Sequence, residues 1–438
     1  MTTLAERPHS KQDERRAARP LVILEGIVLL LAAPLLLFPD IVPMATGVAL
    51  AALAAVWLGG LVLDRSSLPA TPFNLALLLL GLAVGVGILV SADPAETLPK
   101  ATGLILGLAT WRFLAIAIRT RRHVAWAVAL LLAICFGFSF AGIVVFGLVN
   151  LPKIPLLTSL NPFQGLVLPE WLAVAVHPNQ LAGLICLYLP LLVSLLLVPR
   201  RYRSPWLRPA LAGLTALAVF AHLLTQSRGG WIGAMAGLLV LLGLWAAVLP
   251  PSKGRRALRW LAVAGVVAVL GVIVWIGPAD LRDIWLNPPA QTAVGTLTTL
   301  SYRRVLWPWA ITAISDFPFT GIGLGAFRQA AFRLYPLPLP VEQDIAHAHN
   351  IFLQTALDLG LPGLVAYGAV LILAAVVGWR VARRDVGLRA VSLGLLAGLA
   401  ALHIFGLADA LALGAKPGVV FWFALGLLAA MNKEGLES

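Results

Sequence analysis

The run HAHNIFLQTALDLGLPG, from His347 to Gly363, sets two histidines and an asparagine directly before an apolar segment holding one acid, Asp358, and one proline, Pro362. Imidazole titrates near neutral pH, so His349 is suited to take a proton from a hydroxyl group. Asn350 is a natural N-cap for the helix that follows. In an extended chain His347 would point to the same side as His349. A carboxylate about two turns into an apolar helix is costly, so Asp358 implies either a function or a buried partner. Pro362 is expected to kink or restart the helix.

Two arginine motifs accompany this stretch. TQSRGGW holds Gln226 and Arg228 at a two-glycine turn between apolar runs, and SYRRVLWPW sets Arg303 and Arg304 before an aromatic pair. Guanidinium forks bind phosphate oxygens in bidentate fashion and stay charged at any working pH, which suits a pyrophosphate at a bilayer surface. The plainer reading of each is an arginine snorkelling to lipid headgroups. His347 and His349, with Asp344 and Glu342 nearby, could instead ligate zinc. That spacing is common, however, and no thiolate or second histidine pair supports it, so no metal is expected.

The elements that must position these groups are membrane helices. The chain has 438 residues, is 60% hydrophobic and has a mean hydropathy of +0.93. Crossing the apolar part of a bilayer takes about 20 residues. Twelve runs qualify, near 21–38, 43–63, 72–90, 101–118, 124–149, 178–198, 208–226, 229–249, 258–277, 350–377, 388–408 and 413–431. They are continuously Leu, Ala, Val and Gly rather than alternating, which excludes a barrel and predicts an all-α polytopic membrane protein. The first run follows a basic tail like that of a signal peptide, but no small-residue cleavage site follows Phe38, so a retained helix is expected. Cys135 and Cys186 both fall inside runs, leaving neither a disulfide framework nor a thiolate metal cluster.

The formal net charge of +13 does not point to nucleic acid, because the charges sort by side of the membrane. With the N-terminus cytoplasmic, inside segments hold 22 Lys/Arg and 7 Asp/Glu, outside segments hold 9 and 11, and Glu25 and Arg112 lie within runs. The division expected is a cytoplasmic tail (1–20), nine spans (21–277), a large periplasmic loop (278–349), three spans (350–431) and a second cytoplasmic tail (432–438). The other long outer connection is the Pro-rich 150–177. A loop as long as 278–349 needs structure of its own. Tyr302–Phe317 and Ala326–Tyr335 mix aromatics with arginine in a helical pattern, predicting short interfacial helices. The glycines of GIGLGAF, between them, follow no strand, so a flexible, close-packing turn fits better than a dinucleotide fingerprint.

QSRGG before a span, Arg303-x-x-x-Trp307 followed by FPFTGIGLGAF, and HAHNIFLQTALDLGLPGL occur here in the order and spacing of the bacterial O-antigen ligase and O-antigen polymerase family, which the chain resembles over residues 222–370. The resemblance implies a membrane glycosyltransferase of the bacterial inner membrane. It would move a glycan from an undecaprenyl-pyrophosphate carrier to an acceptor hydroxyl on a lipid or glycan, at the periplasmic face, without cofactor or metal. Carried over by position, Arg228 and Arg303 would bind pyrophosphate, His349 would be the general base and Asn350 would orient the site. Arg304, His347, Asp358, Gln226 and Arg328 are expected to contact substrate. The family position of Asp358 is often glutamate, and the choice between Arg303 and Arg304 stays open. A pyrophosphate leaving group needs positive charge on its oxygens and a base for the incoming hydroxyl, so a single inverting displacement suffices. Ligase and polymerase differ only in acceptor. A twelve-span transporter is the rival from another class, disfavoured by the short middle connection and the sparse intramembrane charge.

Overall fold

The computed structural model describes residues 11–64, 68–148, 177–198, 205–289, 299–335, 346–411, 413–433 and 436. Most of the 150–177 connection, the basic PRRYR run, and Glu342 and Asp344 lie outside these. The elements are helices: α1 (Lys11–Leu37), α2 (Pro43–Asp64), α3 (Asn74–Leu89), α4 (Pro94–Ala117), α5 (Arg121–Leu148), α6 (Pro178–Leu196), α7 (Leu207–Leu224), α8 (Arg228–Val248), α9 (Lys253–Leu286), α10 (Thr299–Asp316), α11 (Phe327–Arg333), α12 (Ile351–Arg384), α13 (Arg389–Phe405) and α14 (Gly418–Met431). The protein is an all-helical, polytopic membrane protein. Among the described residues nine helices are long and apolar enough to cross a bilayer.

The remaining three expected spans, 72–90, 388–408 and 413–431, are apolar helices α3, α13 and α14 of 16, 17 and 14 residues. The shortening of the last two has a purpose. α13 stops at Phe405 and α14 starts only at Gly418, so the described residues of the 406–417 segment, 406–411 and 413–417, are irregular. Backbone polar groups of such a segment must find partners in the protein. Ile351 N–H donates to Gly406 C=O at 2.7 Å, tying the start of α12 to this segment.

Glycines bring the central helices close, as small residues do where lipid supplies no hydrophobic drive between helices. A Cβ on Gly398 of α13 would lie 1.8 Å from Leu187 O of α6, and one on Gly107 of α4 would lie 2.0 Å from the Trp422 ring of α14. Glu25 and Arg112, two charges that lie inside runs, form an ion pair with each other, and Trp57 donates its indole N–H to Glu25 at 3.2 Å. They make a staple between α1, α2 and α4.

α9 bends at Gly277 (φ 78°), beside Pro278, and helix resumes beyond the kink to Leu286. The two expected short helices are present as α10 and α11. Leu306, Trp309 and Ala313 of α10 bury against Phe327 of α11 and Leu357 of α12, and Trp309 meets Phe327 edge-on at 5.0 Å.

The GIGLGAF turn does pack closely. Gly321, Gly323 and Gly325 all have positive φ, and the turn wedges between α3 and α12, with Ile322 N–H bonded to Leu357 C=O and Leu324 N–H to Gly87 C=O. α12 accommodates it through a kink at Gly360 (φ 69°), two residues before Pro362. A Cβ there would sit 2.5 Å from the Phe319 carbonyl carbon. Gly360→Ala therefore combines a left-handed backbone with a backbone clash, and should destabilise by about 2 kcal/mol or more, read as a lowered thermal midpoint in detergent. An unchanged midpoint would show that α12 can straighten without loss.

Candidate active site

The 406–417 segment gathers the polar groups. Asn350 caps α12, its side-chain oxygen accepting from Phe352 N–H (3.0 Å) and Leu353 N–H (3.1 Å), and its amide donates to Leu407 C=O at 3.1 Å. The same side chain thus caps the helix and fixes the segment. His349 sits in the left-handed region (φ 49°), unusual for a residue with a side chain. That turn folds the ring back beside His347, with ring centroids 4.3 Å apart. His349 N–H donates to Nδ1 of His347 at 3.2 Å.

Both rings meet one carboxylate. Oδ1 of Asp409 lies 3.4 Å from Nδ1 of His349 and 3.7 Å from Nε2 of His347. The Asp409 side chain is only 6% exposed. Burial pushes its pKa up, but the His349 hydrogen bond and the charge of both rings outweigh this and bring it down to about 2. His347 is pushed down to about 3 by burial and by the neighbouring His349, which the Asp409 carboxylate only partly offsets. Asp409 is therefore an anion and His347 neutral at physiological pH. Nδ1 of His349 makes no hydrogen bond among the described residues; a proton there would face the carboxylate and leave the lone pair of Nε2 to accept another.

Two arginines border this triad. Arg303, one turn into α10, donates through Nε to Ala408 C=O at 2.8 Å, and its Nη2 shares that acceptor. Burial and the charge of Arg228 lower its pKa, against the opposing pull of Asp409. Arg228 opens α8 behind an N-cap at Ser227, which accepts from Gly230 N–H at 3.4 Å. Among the described residues, a buried Nη1 of Arg228 has no hydrogen-bond partner. Gly229 beside it comes near Ala408: a Cβ there would stand 3.9 Å from that of Ala408. Residue 408 thus meets both arginine-bearing elements, and residue 409 both histidines.

The other expected contact residues are placed differently. Arg304, about 100° round α10 from Arg303, turns to the end of α9 and bonds Leu286 C=O. Its neighbour Arg303 is the one that enters the cluster. Asp358 is buried within the protein, accepting from Gln354 Nε2 at 2.9 Å and from Gly325 N–H at 3.1 Å. Gln354 in turn accepts from Ala348 N–H at 2.8 Å. The acid belongs to a scaffold that joins the glycine turn to the peptide between the histidines. Arg328 pairs with Glu96 of α4. Gln226 is buried in the turn before Arg228, with φ 49°.

Asp409 is the residue that sequence reading missed. Its signal was present: a lone acid in the apolar run LADALALGAKP, where a carboxylate is expensive without a partner. His347, His349 and Asp409 also have one ligand atom each within 4.8 Å of one another, a set that could hold a metal ion.

Comparison with known proteins points the same way. Residues 213–368, which include Arg228, Arg303 and both histidines, match the O-antigen ligase family model. This segment is similar to the O-antigen ligase family. The chain is 26% identical over 182 residues to the ComP-specific O-oligosaccharyltransferase of Acinetobacter baylyi, covering 41% of this chain and 30% of that protein. It is 28% identical over 171 residues to the exopolysaccharide production protein ExoQ of Rhizobium meliloti, covering 38% and 37%. The chain thus spans about a third of the length of the relatives it matches. Asp409 and the 406–417 segment lie beyond the matched domain and are tied to it by hydrogen bonds from Arg303, Asn350 and Ile351.

The depressed pKa of His347 sets a stability window. Between its ordinary 6.5 and about 3 the unfolded chain binds a proton that the folded one does not, so stability falls as pH drops through that range. Asp409 adds to the loss only below its ordinary 3.8. His347→Gln should accordingly flatten the decline in melting temperature between about pH 7 and about pH 5. An equally steep decline in the variant would mean that other groups carry it.

Proposed function

We propose that this protein is an O-antigen-ligase-like glycosyltransferase of the bacterial inner membrane. It transfers a glycan from undecaprenyl pyrophosphate to an acceptor hydroxyl at the periplasmic face. The observation that carries this reading is the convergence of His349, with Asp409 behind it, on two arginines at one end of the bundle. Arg228 and Arg303 hold the pyrophosphate and take up the charge that develops on its departing oxygen. Nε2 of His349 removes the proton of the acceptor hydroxyl as that oxygen attacks the anomeric carbon. The carbon–oxygen bond to the pyrophosphate breaks and the anomeric configuration inverts. Asp409 holds the ring in the required tautomer and stabilises the imidazolium that results. The step draws on no metal ion.

The two relatives differ in what their names describe, a protein-specific oligosaccharyltransferase and exopolysaccharide production. Polymerisation, in which the acceptor hydroxyl belongs to another glycan, uses the same residues in the same roles. Mass spectrometry of the product identifies the acceptor.

The test is reconstitution in proteoliposomes with an undecaprenyl-pyrophosphate-linked glycan and candidate lipid and glycan acceptors. His349→Ala should slow transfer by roughly 10²- to 10⁴-fold, the worth of a positioned base. Arg228→Ala and Arg303→Ala should weaken donor use, while Arg304→Ala, which removes a residue turned away from the cluster, should cost far less. Transfer unchanged in His349→Ala would refute the assignment, and uptake of free solute without transfer would favour a transporter.

A further inference from the structure

The spacing of His347 and His349 supplies two imidazoles, too few to hold a metal ion; folding adds a third ligand. Nε2 of His347 and Nδ1 of His349 lie 3.7 Å and 3.4 Å from Oδ1 of Asp409, and the three atoms fall within 4.8 Å of one another. Zinc bound at about 2.0–2.1 Å to tetrahedrally disposed ligands holds each pair of them about 3.3 Å apart. Two of the three separations are thus within about 0.4 Å of that spacing, and the third needs the rings to close by at most about 1.5 Å.

The ligand atoms are available and reachable. Nδ1 of His349 is a buried nitrogen with no hydrogen-bond partner among the described residues. The Asp409 carboxylate is oriented from behind by Ala410 N–H at 2.8 Å, the kind of support that ligating carboxylates have. The His347 and His349 side chains are 21% and 31% exposed, so an ion can enter from solvent.

The same surroundings set how tightly an ion is held. Nδ1 of His347 accepts from His349 N–H at 3.2 Å. With Nε2 on an ion, the ring proton of His347 moves to Nδ1 and that bond is lost. The positive charges of Arg303 and Lys100, which act on Asp409 and His347, also oppose a dication. Two imidazoles select a borderline ion such as zinc over calcium or magnesium, which take oxygen ligands. The result is a site that zinc enters and leaves, with the fourth position open to water.

Occupation of that site has a chemical consequence. A neutral imidazole carries one proton. When the lone pair of Nδ1 of His349 coordinates zinc, the proton resides on Nε2, and that nitrogen has no lone pair left to take a proton from an acceptor hydroxyl.

We propose that His347, His349 and Asp409 form a reversible zinc site, and that zinc bound there halts glycan transfer by keeping the proton of His349 on Nε2. The inhibition, though not the site, rests on the reading of His349 as general base.

Equilibrium dialysis of the detergent-solubilised, tag-free full chain against nitrilotriacetate-buffered zinc, with the metal counted by mass spectrometry, reads the site without any activity. Wild type should take up one zinc per chain that His347→Gln and Asp409→Asn bind about tenfold more weakly or worse, each having lost a ligand. Magnesium in large excess should not displace it. Zinc should raise the melting temperature of wild type and leave that of His347→Gln unmoved.

In proteoliposomes, saturating zinc should slow transfer to about the level of His349→Ala, a loss of roughly 10²- to 10⁴-fold, and chelation should restore it. His347→Gln, scored against its own zinc-free rate, should need about tenfold more zinc for the same fractional loss. An effect of zinc on the donor pyrophosphate alone would be equal in both proteins and would overturn the inhibition.

Zinc uptake that is absent in wild type, or equal in wild type and both variants, would overturn the site. Transfer lost on chelation and restored by zinc would overturn the inhibition, as would transfer undiminished at full zinc occupancy. In that last case an active His349→Ala would show that the base reading has failed, and an inactive one that the zinc inference has failed by itself.

Discussion

The carboxylate of Asp409 meets two imidazoles from a single tight turn of chain, and the site's geometry depends on this encounter. A buried carboxylate is tolerable only where cations or donors surround it. Here the backbone N–H of Ala410 donates to it at 2.8 Å, and His347 and His349 supply the rest. His349 reaches it by adopting a left-handed backbone, a local cost that the surrounding fold must overcome. The bond between Gly406 C=O and Ile351 N–H, together with the Asn350 amide on Leu407 C=O, holds the two chain segments at the necessary separation.

That encounter in turn requires helices that end early. If α13 and α14 ran for full membrane-spanning lengths, residues 406–417 would be helical and their carbonyls would be used within the helix. Because they are not, Ala408 C=O is free for Arg303 and Leu407 C=O for Asn350. A second scaffold lies beneath the histidines: Asp358 and Gln354 link the glycine turn to the peptide at Ala348. The indole N–H of Trp307 donates to the carbonyl of the same residue at 3.1 Å. The peptide between the two catalytic candidates is thus fixed at both its N–H and its C=O, which is how a reactive pair is kept in register without substrate present.

Much of this was legible in the sequence, for identifiable reasons. Continuous apolar runs announce helices whatever packs against them, and Asn350 announced its cap because an asparagine before an apolar run has few better uses. The short helices α10 and α11 were visible from their mixture of aromatics and arginine. Helix ends were less so: the runs read as spans continued through residues 406–408, whose carbonyls instead accept from Ile351, Asn350 and Arg303. The choice between Arg303 and Arg304 depended on the phase of α10 against α12, which adjacent arginines do not encode. Asp358 looked functional because an acid in a span is costly, and the cost is met by internal partners. Asp409 is far from the histidines along the chain, and only folding brings it to them.

The most direct measurement is a structure of the protein with undecaprenyl pyrophosphate bound. The diphosphate oxygens should lie within about 3 Å of the guanidinium groups of Arg228 and Arg303, with Nε2 of His349 unobstructed next to the carbon–oxygen bond to be broken. A diphosphate bound away from both arginines, or at the opposite end of the bundle, would contradict the proposed chemistry.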